Sequence, residues 1–409
     1  MLDRIWTGFF LVAFVAAVFQ SVVLGQTGVW ADMVAATFDL SKTAFEIALG
    51  LTGVMCLWLG IMKIGERGGA VDLLARLFGP LLRRLFPSIP SGHPATGSIV
   101  MNMAANMLGL DNAATPLGLK AMGELQELNP EPDTATNDQI LFLVLNTSAV
   151  TVIPVAIFTY RATLGAADPT DVFLPLLIAT TCSTLAGLVV TAAVQRLRLW
   201  DPVILAYIGG LLALVGGLVA YFSQLDRETM QRQSSLLSNF TIFTVIILFM
   251  VLALRKKVSL YESFIEGAKE GFGVAVGIIP YLVAMLVAIG VLRASGTLDL
   301  LLDAVRWAAT GMGLDTRWVD GLPTALVRPL SGSGARGMMI ETMKTHGADS
   351  FAGRLVSVIQ GSTETTFYVL AVYFGSVGIR KTRHAVGCGL AADLAGILGA
   401  IAVTYFFFG

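Results

Sequence analysis

Charge is scarce in this chain, and so are the residues that usually carry out chemistry. Only 13% of the 409 residues are charged, against about a quarter in soluble domains, so water is not the only solvent the sequence suits. The net charge of −1 supplies no basic field, and nucleic acid is excluded as a partner. The three cysteines, Cys56, Cys182 and Cys388, lie far apart in or beside apolar runs. They read as small core residues, with neither a disulfide framework nor a zinc spacing. The three histidines, His93, His346 and His384, show no metal-ligand spacing, so no metal and no cofactor is expected. No Ser/His/Asp set lies in the apolar runs, and Asp393 has no second aspartate for a paired-carboxylate protease. The chain is therefore not expected to be an enzyme.

Apolar residues fill the gap. They make up 55% of the chain, and the mean hydropathy is +0.76. Crossing a hydrocarbon core of about 30 Å takes about 20 such residues in a helix. About nine runs qualify, at roughly 5–25, 44–62, 139–160, 172–194, 202–222, 239–254, 272–292, 355–377 and 386–408. The first is longer than a signal h-region and lacks an A-x-A site, so it is expected to be a retained span. The fold class that follows is all-α, a polytopic transmembrane bundle whose first partner is the lipid bilayer.

Two further segments are too polar and broken to face lipid. His93 to Met122 carries Asn102, Asn106, Asp111, Asn112, Thr115 and Pro116; Leu322 to Met343 carries Arg328, Pro329, Ser331, Ser333 and Arg336. They suit re-entrant hairpins, which membranes tolerate only against protein or a wet cavity. These segments also keep register. Span 44–62 leads to Gly69-Ala70-Val71-Asp72-Leu73-Leu74, and span 272–292 leads to Gly296-Thr297-Leu298-Asp299-Leu300-Leu301. An amphipathic stretch, the broken segment and a hydroxyl-interrupted span follow in each case. The interruptions are Asn146 to Thr151 and Gly361 to Thr366. Closing spans then carry Ser183-Thr184-Leu185-Ala186-Gly187 and Ala392-Asp393-Leu394-Ala395-Gly396. This order implies a duplication, with repeats at about 44–194 and 272–408 inside halves 1–200 and 201–409.

If the broken segments do not cross, an odd number of spans separates the two repeat starts and the second is inverted. The basic clusters Lys63 to Arg84, Arg255 to Lys257 and Arg380 to Arg383 then share one side, the cytoplasmic one by positive-inside bias. The arginines of 293–354 run against this bias, less so if Arg328 and Arg336 sit inside the protein. Inverted repeats with broken helices are a secondary-transporter architecture. Val71 to Phe86 reads as an interfacial amphipathic helix, and Leu225 to Ser238 as a loop joining the halves.

A carboxylate within an apolar span costs several kcal/mol without a partner or water. Glu364 and Asp393 are therefore the ion-coupling candidates, with Gln360, Ser362, Thr363 and Thr365 around Glu364 as solute contacts. Alternatively, Glu364 pairs with Arg328 or Arg336 and simply locks helices. Arg328, Ser331, Ser333 and Arg336 lie in a Gly/Ser-rich stretch that could form an anion nest or a headgroup-level loop. Asn102, Asn106, Asn112 and Thr115 could hydrogen-bond a polar solute or glue helices together.

At Gly50 to Ile64, His93 to Met122 and Thr151 to Arg161 the chain resembles spore maturation protein A. At Arg328 to Glu341 and Gly361 to Ala385 it resembles spore maturation protein B, here fused into one chain. Asn102-Met103-Ala104-Ala105-Asn106-Met107-Leu108-Gly109 and Gly361-Ser362-Thr363-Glu364-Thr365-Thr366-Phe367-Tyr368 are the most distinctive matches. The resemblance implies a nucleoside-recognition, or Gate, domain, which also occurs in concentrative nucleoside transporters and the bacterial ferrous iron transporter. Gln360, Gly361, Thr363 and Glu364 are similar to the binding hairpin of the nucleoside transporters. What this implies is a multi-pass protein of the bacterial cytoplasmic (inner) membrane, a transporter or conduit for a small polar, anionic or nucleoside-like solute. A non-transporting scaffold linked to envelope or spore-core maturation is the alternative. The sequence leaves a homo-oligomer open.

Overall fold

The structure, a computed structural model, describes residues 2–109 and 111–409, with side chains for 6–109 and 114–409. Among these residues it is built from helices alone. The first stretch comprises α1 (Leu2–Val23), α2 (Val29–Gly68), α3 (Ala70–Leu85), α4 (Pro94–Met107) and α5 (Asp111–Glu127). It continues with α6 (Asn137–Thr147), α7 (Val155–Thr163), α8 (Phe173–Gln195), α9 (Pro202–Phe222) and α10 (Arg227–Arg255). After α11 (Leu260–Gly277), α12 (Ile279–Ala294) and α13 (Thr297–Gly311), a 3-10 turn Arg317–Gly321 leads to α14 (Leu322–Val327) and α15 (Gly332–His346). The chain ends with α16 (Phe351–Ser362), α17 (Thr366–Ser376) and α18 (Ala385–Phe408).

Among the described residues, seven stretches are continuous, apolar and long enough to cross a bilayer: α1, α2, α8, α9, α10, the adjoining α11–α12, and α18. The other two expected spans, 139–160 and 355–377, are interrupted. One is split between α6 and α7 and the other between α16 and α17. Each piece has 9 to 12 residues, about half of what a crossing needs.

The two occurrences of the G-x-x-D-L-L motif have matching backbones. Gly69 and Gly296 both take left-handed φ values, 89° and 69°, where a β-carbon would be strained. In each, the glycine carbonyl accepts the first helical bond at 3.0 Å, from Leu73 and from Leu300. A span thus turns into an amphipathic helix in the same way twice. Asp72 and Asp299 lie in the first turn, where negative charge suits the helix dipole.

The expected loop Leu225 to Ser238 is instead helical from Arg227. Asp226 caps it, Oδ2 accepting from the Thr229 N–H at 3.0 Å. A polar sequence outside the apolar window lost no helix propensity; it only gained water-facing side chains.

Two compact units are present, each drawing on both halves of the chain. Unit 1 contains the chain through Leu59, Ala156–Pro169 and Ala268–Gln360; unit 2 contains Gly60–Val155, Thr170–Gly267 and Gly361–Gly409. In unit 1, α1 packs on α12, and α12 on α15. Arg161 is fully buried there, donating to Ala348 O at 2.7 Å and pairing with Asp349 at 3.1 Å. In unit 2 the dominant pairing is α8 with α18, the helices that carry Ser183–Gly187 and Ala392–Gly396. A β-carbon at Gly396 would lie 2.6 Å from Thr363 and 3.1 Å from Ser183; one at Gly187 would lie 3.1 Å from Ala392. Rising numbers on α8 meet falling numbers on α18, so the two run antiparallel.

Candidate functional site

In unit 2 the two interrupted helices meet at their breaks. The Glu364 N–H donates to Thr147 O at 2.7 Å. Helix α6 stops there for local reasons. Thr147 and Ser148 hydroxyls both turn back to Val144 O, at 2.9 and 2.8 Å, competing with the backbone ladder. Pro154, which has no N–H, follows in the gap. The turn between α4 and α5 lies on the same break: Val152 N–H donates to Met107 O at 2.8 Å, and a β-carbon at Gly109 would lie 2.6 Å from Ile153 O. The polar segment from His93 is therefore a helical hairpin, closed by Asn102 Nδ2 donating to Ala114 O at 2.7 Å.

An amide chain crosses this junction. Asn106 Nδ2 donates to Asn146 Oδ1 at 2.7 Å and reaches Asn102 Oδ1 at 3.4 Å. Tyr373 OH donates to Asn146 Oδ1 at 3.3 Å, and Asn146 Nδ2 donates to Phe142 O at 2.9 Å. Asn102 and Asn146 are buried and Asn106 half-buried. Thr115, on the α5 arm of the hairpin, is half-buried, and Asn112 lies outside the described side chains.

Around the second break, Ser362, Thr363, Thr365 and Thr366 are buried, whereas the Glu364 side chain is exposed. Asp393, only 1% exposed, accepts from Thr366 Oγ1 at 2.7 Å. Ser183 Oγ donates to Ala392 O at 2.9 Å, and the Thr184 hydroxyl donates to Ser148 O. A carboxylate, several hydroxyls and two helix breaks thus share one region.

The remaining candidates belong to unit 1. Ser331 caps α15, its Oγ accepting from the Gly334 N–H at 3.0 Å, with Ser333 Oγ at 3.3 Å. Gln360 Nε2 reaches Gly332 O at 3.5 Å, and its buried Oε1 has no hydrogen-bond partner among the described residues. Arg328 is buried, and Arg336 is half-buried with its guanidinium 5.7 Å from the Tyr160 ring centroid. The structure therefore groups Gln360 with the Ser331–Ser333 turn, and Asn102 with Asn106. Helix α16 carries both Gln360 and Ser362.

Sequence reasoning named Asn146 and Thr366 only as bounds of the interruptions and placed neither them nor Tyr373 among the candidate site residues. Asn146 stood in the interruption opposite Gly361, a signal that was there to use. Tyr373 sits among apolar and aromatic residues of α17 and gave none.

These features define a multi-pass membrane protein that combines seven long apolar helical stretches among the described residues with interrupted, hydroxyl-rich helices. The chain belongs to the nucleoside recognition (Gate) family, which matches it twice, at residues 48–164 and 275–380. Two relatives from Bacillus subtilis (strain 168) cover it in two parts. It is 37% identical to spore maturation protein A over 190 residues, 46% of this chain and 93% of that protein. It is 52% identical to spore maturation protein B over 154 residues, 38% of this chain and 85% of that protein.

Proposed function

We propose that the chain is a transporter or channel-like conduit for a small polar or anionic solute, with nucleoside-like compounds among the candidates. On this reading it lies in a bacterial cytoplasmic membrane as two inverted repeats, with nine crossing segments and α4–α5 and α14–α15 as re-entrant hairpins. The double match of one family and the antiparallel packing of α8 against α18 support the inversion. Glu364 is the observation that carries the function. Its carboxylate is exposed at a helix break midway along an apolar segment, where a charge facing hydrocarbon would cost several kcal/mol. Water or a solute reaching the break removes that cost. Glu364 and Asp393 are the coupling groups, the broken helices offer N–H and C=O groups, the asparagines hydrogen-bond solute, and Arg328 and Arg336 are the anion contacts. No catalytic role is assigned.

The test is flux into proteoliposomes of nucleosides, dicarboxylates and divalent metal ions. Uptake of one class, lost in E364Q, is the expected result. No uptake of any class, with wild type equal to E364Q, would refute the conduit. A second reading, a scaffold or assembly protein linked to envelope or spore-core maturation, draws support from the tight small-residue contact of Gly187 and Gly396. On that reading E364Q changes stability alone.

A further inference from the structure

In unit 2 the C-terminal ends of α3 and α8 and the start of α9 enclose a pocket of about 610 Å³. Arg83, Arg84, Arg196 and Arg198 line it, with Trp200 and Asp201. Arg84 pairs with Asp201 at 3.6 Å. Among the described residues, no carboxylate lies in ion-pair reach of Arg83, Arg196 or Arg198. Asp201 is in addition engaged as the cap of α9, accepting from the Val203 N–H at 2.9 Å. Four guanidinium groups against one carboxylate leave an excess of three positive charges in one concavity. Guanidinium forks match phosphate oxygens two at a time.

The surroundings are those of a bilayer surface. Helix α9 begins at this pocket and is an apolar span of which little is buried. Leu205 and Leu212 are exposed along it. Trp200, 85% exposed, has the residue type that prefers the headgroup layer. Helix α3 exposes Leu73 and Leu77 as well. A ligand with a phosphate end and two acyl chains would place the phosphate on the arginines and its chains along α9.

We infer that this pocket is a binding site for the phosphodiester headgroup of an anionic phospholipid. The site stands apart from the conduit and does not depend on it. Each arginine near an anionic membrane surface contributes roughly fivefold in affinity, so two removed together weaken binding roughly 25-fold.

The experiment titrates the purified full-length protein in detergent with phosphatidylglycerol or phosphatidylcholine, read by native mass spectrometry. Phosphatidylglycerol should bind more tightly, and R196A/R198A should lose roughly 25-fold. R255A/R380A, which removes two exposed arginines outside the pocket, should leave binding unchanged. R196K/R198K retains the charge and the surface, and should lose part of the affinity because the forks are gone. Equal losses in R196A/R198A and R255A/R380A would replace the site with diffuse attraction and overturn the proposal. Equal binding of the two lipids would overturn it as well. Displacement of bound lipid by inorganic phosphate would assign the pocket to a soluble anion instead of a headgroup.

Discussion

Asn146 ties three helices together through one side chain, and its removal provides a quantitative test of the junction. In N146A the bonds from Asn106 at 2.7 Å and from Tyr373 at 3.3 Å are lost, along with the intrahelical bond to Phe142 O. Side-chain hydrogen bonds between helices in membranes average about 0.6 kcal/mol, with a ceiling near ~1.7. Two such bonds and the local one together amount to about 2 kcal/mol. The short Asn106–Asn146 bond should account for most of this. The assay is equilibrium unfolding in mixed detergent micelles of N106A, N146A and the double variant. A coupling energy of about 0.6–1.7 kcal/mol is expected, with Y373F costing less because its bond is long. Additivity within about 0.3 kcal/mol would mean the two amides do not interact. The α4–α5 hairpin would then be held by other contacts, and the proposed continuity of the site would fall.

Four other outcomes can be checked by thermal unfolding. G396V should cost about 1–3 kcal/mol by overpacking against Thr363, whereas G387A, on the same helix with nothing within 4 Å, should be neutral or stabilise by up to about 1 kcal/mol. T366V removes the donor to buried Asp393 and should cost about 1–2 kcal/mol, while D393N still accepts through its amide oxygen and should cost less. R161A should cost about 3 kcal/mol through its lost carbonyl bonds, but D349N under about 1, because Asp349 is partly exposed. Burial, then the neighbouring Arg383, lowers the pKa of His384. The unfolded chain therefore binds more protons between the two pKa values, and stability should fall as pH drops below about 6.5. H384Q should flatten that slope; an unchanged slope would place its origin elsewhere.

The features legible in the sequence are those fixed by short-range chemistry. Gly69 and Gly296 were legible as matching positions after an apolar run, and the left-handed φ that each takes is the local chemistry behind that match. The breaks at Asn146–Thr151 and Gly361–Thr366 were readable as clustered hydroxyls that compete with the helix ladder. The meeting of Glu364 with Thr147 was not readable, because nothing local to either residue specifies a partner so distant in the chain. For the same reason the candidates divided: Gln360 joined the Ser331–Ser333 turn through tertiary packing, while Asn106 found Asn146. Helix α10 began earlier than expected because hydropathy marks where lipid ends, and a helix continues past that point until a cap or breaker stops it.

Gly187 and Gly396 have a consequence for how the chain assembles. Their contacts join a helix from the N-terminal half to one from the C-terminal half, and α9 and α10 form part of the tether between them. Tethering makes the encounter intramolecular, at an effective concentration that reaches the millimolar range for short flexible linkers. The join can then rely on shape alone, without the large apolar area that two free polypeptides would need to find one another. It also fixes the ratio of the halves at one to one, whatever the level of expression.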